Sequence, residues 1–183
     1  MWQQPRLYSF LRRCARGITG GEGLKLAEVL LVDGYNFLHC WPDLVHLKEH
    51  SHMGHAREEL IAKLVEYQAL WGGRIIIVFD GHKRRGKEQV ERPAAGVEVI
   101  YTRSGETADN AIEKLARRMA SHQTVYVVTD DFWEQRIIRI ILGYGALRMT
   151  SRELKAQMDR LKKAALALGN RGQFRNPLKE RLW

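Results

Sequence analysis

A chain of 183 residues with 45% hydrophobic content is long enough for one domain with a substantial core. Its continuous apolar runs (Val29 to Val32, Ile75 to Phe79, Val125 to Val128) fall far short of the roughly 20 residues that cross a bilayer, which excludes a membrane-spanning class. The formal charge of +9 is uneven: +3 over residues 1–28, −1 over 29–147 and +7 over 148–183.

A nearly neutral centre with basic ends suits a polyanionic partner, because cationic side chains that neutralise phosphates release condensed counterions. A merely solvated basic surface is the alternative. Two cysteines, Cys14 and Cys40, provide neither a disulfide framework nor a zinc knuckle and point to a reducing compartment. Residues 1–27 stand apart, with Arg6, Arg12, Arg13 and Arg16 before the first acidic residue, Glu22, and glycines at 17, 20, 21 and 23. This pattern fits an organelle transit peptide, a disordered bacterial extension or an upstream start codon. The expected location is cytoplasmic, or an organelle if the extension is a transit peptide.

Regular patterning begins at Glu28 and defines a domain over 28–168. Residues 29–32 read as a buried strand. Leu60, Leu64, Tyr67 and Trp71 fall at helical spacing within Met53–Trp71, and Gly72 and Gly73 end that helix. Arg74–Phe79 is a second buried strand, and the polar, basic residues 81–96 read as a loop. Val97–Tyr101 is a third strand, 107–120 a helix, Thr124–Val128 a fourth strand, 131–142 a helix and 146–149 a short fifth strand. A last helix spans 150–168, where Thr150 and Glu153 fit a capping box, and a basic tail follows over 169–183. Strands whose apolar runs are continuous, alternating with helices, predict an α/β fold: one three-layer α/β/α domain on a mostly parallel sheet.

Ligands of open parallel sheets bind beyond the carboxyl ends of the strands. Asp33 follows the first strand, Asp80 the second, and Asp130 and Asp131 the fourth; Glu106 and Asp109 open the helix after the third. Carboxylates gathered at one edge repel one another, and a hard cation such as Mg²⁺ or Mn²⁺ relieves that repulsion. The chemistry that follows is metal-assisted phosphodiester hydrolysis.

Each position also has an ordinary structural explanation. Aspartate after a strand caps helices and forms turns. Asp131, three residues before Glu134, favours a capping role; Asp109 suits a helix's first turn; Glu106 suits a solvated loop. The coincidence at three strand ends together with Asp109 carries the functional reading. The loop with Lys83, Arg84, Arg85 and Lys87 follows Asp80 and can hold an RNA backbone, or be an exposed charged loop. Arg103, Arg136 and Arg148 fall near the same edge and suit phosphates. Tyr35 can stack on a base, although partly buried packing is the commoner use. His46, His50, His52 and His55 cluster without an HExxH pattern or a cysteine pair, so solvated or RNA-facing histidines are expected rather than a zinc site.

The segment Leu30-Leu31-Val32-Asp33-Gly34-Tyr35-Asn36 resembles the opening motif of NYN-domain proteins, specifically the YacP-like branch. Further stretches agree in order: Trp41-Pro42, Val78-Phe79-Asp80-Gly81-His82, Glu106-Thr107-Ala108-Asp109, Thr129-Asp130, Gly145-Ala146-Leu147-Arg148 and Ser151-Arg152-Glu153-Leu154. The resemblance implies a PIN-like fold and cleavage of RNA with Mg²⁺ or Mn²⁺. It assigns ion binding and catalysis to Asp33, Asp80, Asp109 and Asp130, and to Asn36 a role in shaping the pocket or holding a metal-bound water. Glu106 and Asp131 are supporting candidates. Because the family includes ribosome-associated endoribonucleases, the resemblance also suggests a ribosome partner. One departure is that the family often has Thr-Ser-Asp where this chain has Thr129-Asp130-Asp131, which leaves either aspartate as the metal-facing one. The C-terminal tail is also shorter than expected, which puts tail-mediated contacts in doubt.

Three other classes compete. A non-catalytic RNA- or ribosome-binding module needs the basic segments but not the carboxylates. A dinucleotide-binding enzyme needs GxGxxG after the first strand, where this chain has Asp33-Gly34-Tyr35-Asn36. An aspartyl phosphatase typically has a second aspartate two residues after the first, where Tyr35 stands. A metal-dependent endoribonuclease fits best.

Overall fold

The computed structural model describes residues 27–50, 52–81, 88–130, 140 and 143–172. In chain order they form β1 (Glu28–Asp33), α1 (Gly34–Cys40), α2 (Pro42–His50), α3 (Met53–Trp71), β2 (Arg74–Phe79), β3 (Gln89–Ala94) and β4 (Val97–Tyr101). Then come α4 (Ala108–Met119), β5 (Thr124–Val128), β6 (Leu147–Met149) and α5 (Ser151–Gly172).

The sheet order is β3-β4-β2-β1-β5-β6, parallel except for β3. The continuous apolar strands serve two cores at once. Leu30, Val32, Ile75, Ile77 and Phe79 face Leu60, Leu64 and Tyr67 of α3 and Leu154 and Leu161 of α5. Their alternates Val29, Leu31, Ile76 and Val78 face Ala111, Ile112, Leu115, Ala116 and Met119 of α4. This is the expected α/β/α sandwich, and the period of two in side-chain direction produces it.

Local signals set the helix ends. α3 stops at Gly72, whose φ of 80° suits a residue without Cβ and whose N–H donates to the Gln68 carbonyl at 2.7 Å. Thr107 caps α4 by accepting from the Asn110 N–H at 3.3 Å. Thr150 and Glu153 form the reciprocal capping box, with Glu153 N–H to Thr150 Oγ1 at 3.1 Å and Thr150 N–H to Glu153 Oε2 at 2.8 Å.

Four elements differ from the sequence reading. The expected loop over 81–96 contains β3, an edge strand whose residues Gln89 to Pro93 are all exposed. It is held by antiparallel pairing to β4 and has no apolar pattern to betray it; its register shifts between Glu91 and Ala94, around Pro93, which has no N–H to donate. Helices α1 and α2 occupy a stretch with no assigned structure, and α5 continues to Gly172, beyond residue 168. The helix expected over 131–142 lies mostly outside the described residues.

The carboxyl ends of β2 and β4 are tied together. The Gly81 N–H donates to Thr102 Oγ1 at 2.9 Å and the Thr102 N–H to the Phe79 carbonyl at 3.0 Å. A Cβ on Gly81 would overlap the Thr102 carbonyl oxygen, a backbone atom that cannot swing aside. Gly81→Ala should therefore destabilise the fold by about 2–3 kcal/mol in urea unfolding; a midpoint unchanged from wild type would show that the two strand ends separate freely.

Candidate active site

Asp33 is the last residue of β1 and the N-cap of α1, its Oδ1 accepting from the Asn36 N–H at 3.1 Å. Burial pushes its carboxyl up, the Asn36 bond opposes this, and the nearby charges of Asp109 and Asp80 push it further, to about 6. Asp80 follows β2, and its Oδ1 accepts from the backbone N–H of Ala108, the first residue of α4. A carboxylate suits that helix start, where unpaired N–H groups and the dipole favour negative charge. Asp109 is the next residue along, in the first turn of α4.

Asp130 follows β5 and is held at the start of α5. Val32 and Val128 both belong to the core beneath α3 and α5. Asp33 lies one residue past Val32 and caps α1, whereas Asp130 lies two past Val128, after β5 has ended. Asp130 Oδ1 accepts from the Ser151 N–H at 3.0 Å and Oδ2 from the Ser151 hydroxyl at 2.5 Å, at the start of α5. Burial raises the Asp130 carboxyl, but hydrogen bonds from the Cys40 thiol, the Ser151 hydroxyl and the Ser151 N–H, with the charge of Arg148, outweigh it and leave the group below its ordinary value. Partial burial, then the hydrogen bond to Asp130 and its charge, pushes the Cys40 thiol up to about 11, so it is a neutral donor rather than a nucleophile. Trp41 Nε1–H reaches the Ser151 carbonyl at 3.5 Å, fastening the α1–α2 junction to the same point.

Asp109 and Asp80 are thus near enough to Asp33 for their charges to raise its carboxyl, and Asp130 sits at the head of α5 beside Cys40, whose thiol feels the charges of both Asp130 and Asp33. Ser151 and Cys40 were not singled out as site residues from the sequence. Ser151 contacts Asp130 across the fold, and a lone cysteine carries no pattern. Glu106 forms ion pairs with Lys114 at 2.5 Å and Arg103 at 3.3 Å, and the Lys114 bond above all holds its carboxyl below the ordinary range. Glu106 and Arg103 therefore partner each other. Arg148 donates from Nη2 to the Asp130 carbonyl at 3.5 Å. Tyr35 is half-buried with its ring edge-on to Phe79, centroids 5.1 Å apart, which is the packing use of that residue. Asn36 is exposed and meets Asp33 through its backbone. Lys83, Arg84, Arg85, Lys87, Asp131 and Arg136 lie outside the described residues.

The donors bear on a divalent cation as follows. Among the described residues no three His, Cys, Asp or Glu side chains form a ready-made ligand group, at the histidine cluster or elsewhere. Mg²⁺ does not require one: it keeps several waters and takes one or two carboxylates. The all-oxygen chemistry of Asp33, Asp80 and Asp109, and the mutual repulsion that Asp33 registers, fit such an ion.

Residues 30–182 match the YacP-like NYN domain. This chain belongs to the YacP-like NYN-domain family. It is 43% identical over 137 residues to YacP of Bacillus subtilis (strain 168), covering 74% of this chain and 78% of that protein. A crystal structure of a mutant of Rae1 (YacP) from Bacillus subtilis has a TM-score of 0.65 and 38% identity, covering 84% of this chain and 88% of that one. A second structure of Rae1 (YacP) has a TM-score of 0.65 and 37% identity, covering 83% and 85%. The NYN domain is a PIN-like nuclease fold, so the chain has a nuclease-type architecture associated with RNA. Among the described residues no helix is long and apolar enough to cross a membrane.

The raised Asp33 carboxyl yields a pH dependence. Its folded value, about 6, lies above the ordinary 3.8, so the folded protein binds the proton more tightly than the unfolded chain. Its contribution to stability is therefore fully present below pH 3.8 and is lost as pH rises through about 6. In chelator at pH 7, Asp33→Asn should be more stable than wild type by about 2 kcal/mol, with the gap closing towards pH 4, as read by urea unfolding. A variant less stable than wild type at pH 7 would show that Asp33 is structurally required.

Proposed function

We propose that this NYN-domain protein is a divalent-cation-dependent endoribonuclease acting on single-stranded RNA. The observation that carries the reading is the half-buried Asp33 at the sheet's carboxyl edge, its carboxyl pushed up to about 6 by burial and by the nearby negative charges of Asp109 and Asp80. Capping and helix-dipole roles account for each carboxylate singly; their mutual proximity is what supports the cation reading.

Asp33, Asp80 and Asp109 would hold the cation. Bound Mg²⁺ or Mn²⁺ would supply charge neutralisation and Lewis-acid polarisation at a phosphodiester. The chain's own residues do the positioning. The Asn36 N–H orients Asp33, and the Ala108 N–H orients Asp80. Asp130, bound twice by Ser151, locks the head of α5 against β5 and keeps this side of the edge rigid. The basic excess over 148–183 supplies sequence-independent attraction for the RNA backbone. Presentation of mRNA on the ribosome is the finer part of the proposal, and it rests on the family resemblance.

One long mRNA, free and during translation, incubated with the full chain in Mn²⁺ or chelator, tests this. Cleavage should require the metal and fall by two orders of magnitude or more in Asp33→Asn, roughly the scale on which a lost electrostatic contact at the reacting group acts. Cleavage only during translation would support ribosomal presentation. Tight RNA binding without cleavage in either setting would overturn the nuclease and leave a binding module.

A further inference from the structure

Arg57 lies at the start of the second turn of α3, half-buried, with its guanidinium carbon over two aromatic rings. It is 5.6 Å from the Tyr101 centroid and 6.0 Å from that of Phe79. The two rings stack on each other, centroids 5.6 Å apart and 18° between planes, and Tyr35 packs edge-on against Phe79. All three aromatics belong to the carboxyl edge. Phe79 immediately precedes Asp80, Tyr35 lies two residues after Asp33, and Tyr101 precedes the Thr102 that holds Gly81. A Cβ on Gly34 would overlap the Phe79 ring, so the α1 backbone also sits directly on this aromatic floor.

The ion pairs made by α3 among the described residues are Lys63–Glu59 and Glu66–Lys162; Arg57 is in neither. A guanidinium resting on aromatic faces gains cation–π attraction and loses side-chain freedom before any ligand arrives. No ion pair among the described residues engages its N–H fork, and that planar fork matches the oxygens of a phosphate. Carboxylates would repel a free anion at this edge. A polynucleotide differs, because one phosphate can meet the cation-holding carboxylates while a neighbouring one meets Arg57.

We propose that Arg57 is a phosphate-binding residue that positions single-stranded RNA, gripping a non-scissile phosphate on the α3 side of the acidic edge. This rests on the proposed nuclease reading for the identity of the strand. It makes α3 one wall of the RNA path and the aromatic trio the platform that sets the height of the arginine above the edge.

The test uses the full chain with Asp33→Asn, so that binding is read without cleavage. Binding of a fluorescent single-stranded oligoribonucleotide across a salt series is compared with and without Arg57→Ala or Arg57→Lys. Cleavage kinetics of the Arg57 variants are measured in the otherwise wild-type protein. Arg57→Ala should weaken binding about tenfold, the order of one charge-assisted bidentate contact, and reduce the slope of log affinity against log salt by about 0.7. KM should rise by a similar factor with kcat little changed. Arg57→Lys should restore the slope but only part of the affinity, and it keeps the test decisive should Arg57→Ala unfold. A folded Arg57→Ala protein with unchanged affinity, salt slope and KM overturns the proposal, even if the wild type cleaves RNA. A wild type that binds RNA through Arg57 without cleaving it supports this inference while overturning the nuclease.

Discussion

Like charges at the end of a parallel sheet are the constraint around which this molecule is organised. β1 lies between β2 and β5, so its carboxyl end is the middle of the edge. Asp33 stands there with Asp80 and Asp109 close enough for both to raise its proton affinity. In water such repulsion is slight, but partial burial strengthens it because less solvent screens the charges. The fold meets it locally with oriented backbone: the Asn36 N–H for Asp33 and the Ala108 N–H for Asp80. What remains is a concentration of negative charge that a hard cation would relieve.

The same edge is held from below by close packing. Gly81 lets β2 end against the Thr102 carbonyl, and Gly34 lets α1 begin against the Phe79 ring. Both glycines directly follow a site aspartate, Asp80 or Asp33. The Asp-Gly pairs of the two strand ends therefore combine a charge with the absence of a side chain that would push that charge away from the sheet. Across the edge, the Asp130–Ser151 pair and the Trp41 contact do a comparable job for α5.

Much of the framework was readable from residue pattern. β1 and β2 are buried on both faces, which demands unbroken apolar runs, and β4 and β5 are apolar apart from Glu98 and Thr124. α3 and α4 carry their core residues at helical spacing, and α5 declares its start with Thr150 and Glu153. β3 was invisible because its exposed residues carry no apolar signal and only backbone pairing makes it a strand. α1 is a single short segment whose start depends on Asp33 serving as its cap, a role that competes with the functional reading of the same residue. The acidic residues themselves were legible as strand-end positions, but their grouping was not. The strand ends themselves were legible, but which carboxylates come close to one another depends on strand order and on the turns that follow, which local pattern does not carry. The ion pair of Glu106 with Lys114, eight residues on along α4, was not legible either. Ser151, 21 residues from Asp130, gave no local hint of that contact.

A cation site at Asp33, Asp80 and Asp109, with Asp130 engaged by Ser151 instead, is the central proposal, and direct titration of Mn²⁺ into the full chain, followed by electron paramagnetic resonance, tests it without any substrate. Asp33→Asn, Asp80→Asn and Asp109→Asn should each weaken binding at least tenfold while remaining folded. Asp130→Asn should retain the ion and instead lose thermal stability. Equal losses from all four variants would place Asp130 in the cation site, and unchanged binding in the first three would contradict the account outright.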